Sequence, residues 1–149
     1  MAAIQCSTGL RNKLLDTNPF KTIFNLSFLK VYDGPVPASA DAALDAANHL
    51  LVTISNAGTA TGLTFAASAS GGAITKTIAE TWSGVAIASG TASFYRLVLT
   101  GDTGALSTTD ARVQGLINTS GAALNLTTIT IVNANSYPVD AFSIAIPTT

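Results

Sequence analysis

Apolar and polar residues alternate along most of this chain, and a side-chain period of two marks strands half buried in a sheet. The clearest case is Ala92 to Leu99, with Phe94, Arg96 and Val98 on one face and Tyr95, Leu97 and Leu99 on the other. Thr22 to Tyr32 reads the same way, placing Phe24, Leu26 and Phe28 on one side before a turn at Asp33-Gly34-Pro35. Further strands are predicted over His49–Ser55, Leu63–Ser68, Ile74–Ile78, Gly84–Ala88, Ala111–Asn118, Leu124–Val132 and Val139–Ile146. Turn signals separate them at Asn56-Ala-Gly58, Gly71-Gly72, Ser83-Gly84, Ser89-Gly90 and Gly101-Asp-Thr-Gly104. Ser39 to Asn48, rich in Ala and Asp, reads as a capped helical turn or an ordered loop. The first segment differs: Leu10, Leu14 and Leu15 recur at helical spacing behind Ser7-Thr8, and Asn18-Pro19 stops the helix. An amphipathic arm this short is marginal alone and has to pack on the body or on a partner.

Short strands with frequent turns and almost no helix predict an all-β protein. The expected architecture is a jelly-roll-like β-sandwich of about eight strands with a short N-terminal helical arm, an immunoglobulin-like sandwich being the alternative. Residues 1–20 form the arm in this reading, and 21–149 a single domain.

Composition narrows the function more than the fold. Only 10% of the 149 residues are charged and 48% are hydrophobic, while 25 Ala, 21 Thr, 13 Ser and 12 Gly make up nearly half of the chain. An ordinary soluble domain is about 25% charged. So apolar and weakly charged a chain is not disordered, and no apolar run approaches the roughly 18 residues of a spanning helix. Seven Lys and Arg against eight Asp and Glu leave no cationic footprint for nucleic acid. Met1-Ala-Ala-Ile-Gln-Cys6 lacks a basic region and an apolar core, so synthesis in a cytoplasm without a secretory signal is expected.

Candidate chemistry is sparse. Asp102-Thr-Gly104 matches the core of the aspartic protease signature, but a single copy would require a homodimer, and Asp-Thr-Gly is also ordinary turn chemistry. His49 is the only histidine, which limits any imidazole-dependent triad to one position at a strand end. Glu80 is the only glutamate and the seven aspartates are dispersed, so nothing fixes a carboxylate pair. Cys6 stands alone, excluding an intrachain disulfide and a multi-cysteine zinc site. Gly71-Gly72 has no following Gly-Lys-Ser or helix to cradle a phosphate. Asn25, Asn118 and Asn125 open glycosylation-type triplets that a Thr/Ser-rich chain produces by chance. Trp82, Phe94, Tyr95 and Phe142 are either a ligand platform or core, alternating aromatics on strands favouring core. No catalytic residue, cofactor or metal ligand is assigned.

Several segments do resemble a known family. Ser7-Thr-Gly-Leu-Arg-Asn12, Leu29-Lys-Val-Tyr-Asp-Gly-Pro-Val-Pro-Ala-Ser-Ala-Asp-Ala-Ala43, Ala79-Glu-Thr-Trp-Ser-Gly84, Gly90-Thr-Ala92 and Leu106-Ser-Thr-Thr-Asp110 look like small structural proteins of tailed bacteriophages and prophages. The likeness lies in the ordered set rather than in any one motif. It implies a virion component. Small jelly-roll proteins of this size in phage virions are often capsid cement or decoration proteins, so the expectation is a part that binds the outer capsid surface and clamps major capsid subunits. A tail or fibre-associated component is the alternative. The partners expected are the major capsid protein and the chain itself as a homodimer or homotrimer, with no nucleic acid and no membrane, on a virion assembled in a bacterial cytoplasm. The least regular segments, Ser7 to Asp16 and Tyr32 to Asp45, are expected to engage the capsid or a sister subunit through Leu10, Arg11, Leu14, Leu15, Tyr32, Pro35 and Pro37.

Overall fold

A computed structural model describes residues 4–16 and 18–146. The elements run β1 (Gln5–Cys6), α1 (Thr8–Asp16), α2 (Phe20–Ile23), β2 (Phe28–Tyr32), β3 (Leu50–Asn56), β4 (Ala73–Thr75), β5 (Trp82–Val85), β6 (Gly90–Thr91), β7 (Phe94–Val98), β8 (Arg112–Asn118), β9 (Leu124–Asn125), β10 (Thr130–Ile131), β11 (Ser136–Pro138) and β12 (Ser143–Ala145). The fold is an all-β sandwich. Its main sheet has eight strands in the order β1-β8-β7-β2-β3-β5-β11, with β9 joining β8, while β10-β6 and β12-β4 form two-stranded ladders. No described helix is long and apolar enough to cross a membrane. The reading of Met1 to Cys6 falls partly on residues outside the described set, as do the outer limits of the arm and of the sandwich domain.

Antiparallel register sorts the side chains of the main sheet onto two faces. On the first, Leu29 sits opposite Leu97 and Ile54, Leu97 opposite Val113, and Val113 opposite Cys6. Val31 follows on the same face, opposite Tyr95 and Val52. Trp82, Phe65 and Phe142 close this core, with ring centroids 5.4 Å apart for Phe65–Trp82 and 5.6 Å for Trp82–Phe142. Trp82, Tyr95 and Phe142 are therefore core aromatics, each buried. Phe94 points the other way and stacks on Tyr32 at 5.2 Å.

Several expectations about elements change, among them the turn read at Ser83-Gly84, which lies inside β5, and the strand read over Val139–Ile146, which spans only β12. Thr22–Tyr32 is not one strand: Pro19 leads into the helical turn α2, which buries Phe24, and Leu26 takes a φ of 61° that reverses the chain before β2 begins. A turn of helix followed by left-handed backbone breaks the alternation that had grouped Phe24, Leu26 and Phe28. Leu63–Ser68 makes only single bridges, Ser27 with Leu63 and Phe65 with Lys76. Leu124–Val132 splits into β9 and β10, because Leu126 N–H turns to Asn118 O and the Thr128 hydroxyl accepts from Thr130 N–H. Ser136–Pro138, which no predicted strand covers, is a strand at the end of the main sheet. The predicted arm holds as α1, and Ser39–Asn48 is an ordered loop.

Candidate functional site

The second face of the main sheet carries a polar row. Lys30 sits opposite Arg96, Arg96 opposite Gln114, and Gln114 opposite Gln5 across four strands. Arg96 Nε donates to Gln114 Oε1 at 2.9 Å, and Gln114 Nε2 donates to Gln5 Oε1 at 2.8 Å. Residues 33–48 form a strap over this row, and the strap is held by its carbonyls. Arg96 Nη2 donates to Ala42 O at 2.8 Å, Gln114 Nε2 to Pro37 O at 2.9 Å, and Arg112 Nη1 to Ala40 O at 3.4 Å. At its neck, Asp33 accepts from His49 N–H at 2.7 Å and faces His49 Nδ1 at 3.0 Å.

The turn at Gly101–Gly104 locks the same cluster. Asp102 accepts from Arg112 Nε at 2.6 Å and Nη2 at 3.1 Å, and its Oδ1 also accepts Gly104 N–H at 2.8 Å. Both carboxylate oxygens are thereby engaged inside the protein, in a buried ion pair and an Asx turn. Gly104, at φ 78°, has no room for a Cβ beside Leu44, whose N–H donates to Gly104 O at 2.8 Å.

The arm completes the interlock. Ser7 caps α1 by accepting Leu10 N–H at 3.1 Å, accepts Arg112 N–H at 2.9 Å, and donates to Asp110 O at 2.7 Å. Helix α1 has no acid in its own first turn, so Asp41 of the strap supplies one. Its carboxylate accepts Thr8 N–H at 2.8 Å and the Thr8 hydroxyl at 2.6 Å, and Asp41 O accepts Ser107 N–H at 3.0 Å. The Thr8 hydroxyl, despite some opposing desolvation, holds the Asp41 carboxyl below its ordinary range. Gly9 lets the helix touch the backbone of Thr109 and Asp110, where a side chain would overlap.

Electrostatics in the cluster favour structure over proton transfer. Burial, and then the neighbouring Arg112 charge, push Arg96 below the usual guanidinium value. Burial raises the Tyr32 hydroxyl to about 12. Among the described residues, Arg96 makes no ion pair with a carboxylate, and its Nη1 is a buried donor without a hydrogen-bond partner.

Two of the seven proposed contact residues are corrected by these positions. Leu10 is fully buried and Tyr32 is stacked on Phe94 beneath the surface, so both belong to the interior. An apolar helix position and an aromatic before a turn pack inward because burial of such side chains is worth about 1.5–3 kcal/mol. Arg11 is exposed, with Nη2 donating to Thr8 Oγ1 at 2.9 Å. Leu14 and Leu15 are also exposed, Leu15 by 85%. Pro35 is exposed and Pro37 half-buried, and their carbonyls accept from Asn48 Nδ2 at 2.7 Å and from Gln114. Arg96, Gln114, Arg112 and Asp41, which organise the cluster, were not singled out from the sequence; the only trace was a cation and an amide inside alternating apolar strands.

The remaining candidates stand apart from it. Cys6 is half-buried on the core side and burial raises its thiol, against Arg11. It borders an apolar groove of about 430 Å³ with Leu14, Phe20, Ile74 and Ile144. Glu80 accepts Thr64 N–H at 3.0 Å, the Thr64 hydroxyl at 2.7 Å and Trp82 Nε1 at 2.9 Å. Among the described residues no three His, Cys, Asp or Glu side chains gather as a metal set. Comparison with protein-family models, with curated proteins and with solved structures finds no match for this chain.

Proposed function

We propose that this chain is a bacteriophage virion structural protein, a capsid cement or decoration protein that binds the outer shell and clamps major capsid subunits. The observation that carries this reading is where the resembling segments meet. Ser7–Asn12, Leu29–Ala43 and Leu106–Asp110 lie far apart in sequence, yet they join as arm, strap and turn through Ser7–Asp110, Thr8–Asp41 and Asp41–Ser107 bonds. Three of the five segments that carry the resemblance thus build one hydrogen-bonded platform. Its exposed positions include Arg11, Leu15, Pro35 and Val36, apolar and cationic side chains suited to a partner rather than to a small substrate. In this reading the protein is a mechanical part, with no cofactor and no reaction.

Removing the arm is a poor test, because Ser7 and Leu10 are part of the interior. Placing charge on the exposed apolar positions is better: Leu15→Asp and Val36→Asp, purified and mixed with shells lacking the protein, are expected to lose occupancy measured by quantitative gel. The unaltered chain is expected at hundreds of copies per particle, and shells without it are expected to fail sooner on heating. A few copies confined to tails would replace the head assignment with a tail one. No association with heads or tails overturns the reading.

A further inference from the structure

We propose that the seam between β1 and β12 binds an extended peptide strand of another protein, held through main-chain hydrogen bonds to the two strand edges. Two grooves of about 780 and 430 Å³ meet there, and Ile4 and Ala145 line both. Strand β1 lies at one end of the main sheet, and β12 belongs to a separate two-stranded ladder. Two sheet edges therefore border one opening.

Register shows which backbone groups each edge leaves over. Phe142 O accepts Lys76 N–H and Ile146 N–H donates to Gly72 O, each at 3.0 Å, so Phe142, Ile144 and Ile146 are the residues bonded to β4. The N–H and C=O of Ser143 and Ala145 point to the other side, and among the described residues no hydrogen bond takes them. Strand β1 repeats the pattern. Ser7 N–H donates to Arg112 O at 3.0 Å, which makes Ser7 and Gln5 the bonded positions and turns the backbone of Cys6 away from β8. Ser143 lines the wider groove and Cys6 the narrower. Backbone donors and acceptors left over in a groove are answered in kind by another extended chain.

The walls select the rest of the occupant's chemistry. Leu14, Phe20, Ile74 and Ile144 line the narrower groove, where Ile146 is 80% exposed, and Ile78 stands wholly exposed at the wider one. A strand sends side chains to alternate sides, so apolar residues at every second position cover these. Lys21 is the one charged residue lining the narrower groove, and Lys76 and Asp140 line the wider. A cation is therefore unwelcome at the narrow end, whereas an uncharged residue or a carboxylate fits. A folded domain cannot push a sheet edge between two walls, and every described strand of this chain is already paired within it. The donor is thus a single unpaired segment of a different protein.

This inference does not depend on the virion reading, and nuclear magnetic resonance of the isotope-labelled full chain tests it. The probe is acetyl-Thr-Val-Thr-Val-Thr-Val-Thr-amide, titrated to millimolar concentration. It is expected to shift the amide signals of Cys6, Ser143 and Ala145 and to slow their exchange with deuterium. The same peptide N-methylated at its valines keeps its side chains but loses donors, and is expected to bind about tenfold more weakly. Ala145→Pro removes an N–H that no described group uses, at an edge where proline is tolerated. It is expected to keep the circular dichroism of the unaltered chain and to bind the probe about tenfold more weakly. Absence of shifts at millimolar peptide, shifts confined to other regions, or equal binding of the methylated peptide overturns the proposal. Should Ala145→Pro fail to fold, the two peptides compared on the unaltered chain decide alone.

Discussion

Around Leu97 and Arg96, on adjacent positions of β7, the two faces of the main sheet are both shut off from water, by opposite means. One is closed by Leu29, Leu97, Val113 and the aromatic group around Trp82, which attract without direction. The other is closed by a strap hung from Arg96, Arg112 and Gln114, each bond of which has a required angle. The difference teaches what each closure can tolerate. An apolar core loses stability in proportion to the volume removed. A buried polar lock fails when one partner goes, because the remaining charge has no solvent to turn to.

Arg112→Ala sets the upper end of this contrast. It strands Asp102 beneath the strap and is expected to cost about 3–5 kcal/mol, read as a lowered urea midpoint with the strap region losing amide protection. Leu97→Ala, fully buried on the apolar side, is expected to cost about 2–5 kcal/mol without selective loss of strap protection. Replacing Arg112 by Met together with Asp102 by Leu sharpens the comparison. Removing both charges is expected to fall within about 1–2 kcal/mol of the unaltered protein, and a loss as large as that of Arg112→Ala would mean the carbonyl contacts matter more than the ion pair.

Asp41 gives a smaller effect that depends on pH. Folding holds its carboxyl below the ordinary range, chiefly through the Thr8 hydroxyl, so folding favours the ionised form. Its contribution is complete above the usual aspartate value of about 3.9 and is lost as pH falls through the lower folded value. Asp41→Asn removes the charge at the start of α1 and is expected to cost no more than about 0.3–1 kcal/mol at neutral pH, the lower end for a solvent-screened carboxyl, and paired denaturation curves should converge in strong acid. Smallest of all, Leu15→Ser on the exposed flank of α1 is expected to shift stability by less than about 0.5 kcal/mol, separating loss of binding from loss of fold.

The apolar face was legible in the sequence and the polar one was not, for a physical reason. Leu97 and Tyr95 announce their burial by alternation, since water alone would sort them inward. Arg96 on the opposite face follows the same alternation, and a cation there implies solvent unless a distant segment covers it. The covering strap lies more than fifty residues away from Arg96 and has no period of its own. Leu26 failed differently: its side chain fits a strand, and only the φ of 61° takes it out of one. Of the surface residues, Leu14 and Leu15 followed from helical spacing, whereas Leu10 on the same helix is spent on the core.

The sheet side chains that hold the strap's carbonyls, Arg96, Arg112 and Gln114, all lie downstream of it, and that imposes an order in time. Ala40 meets Arg112 across 72 residues and Pro37 meets Gln114 across 77. At about 5–20 residues per second, a ribosome takes roughly 4–15 s to deliver those side chains after the strap itself has emerged. During that interval the nascent chain holds the strap with nothing beneath it, and the arm, whose Thr8 waits on Asp41 and whose Ser7 waits on Arg112, is equally unfastened. Closure of the platform is therefore a late event of synthesis, and a chain cut short before Arg112 lacks the side chains that fasten the far end of the strap and the arm.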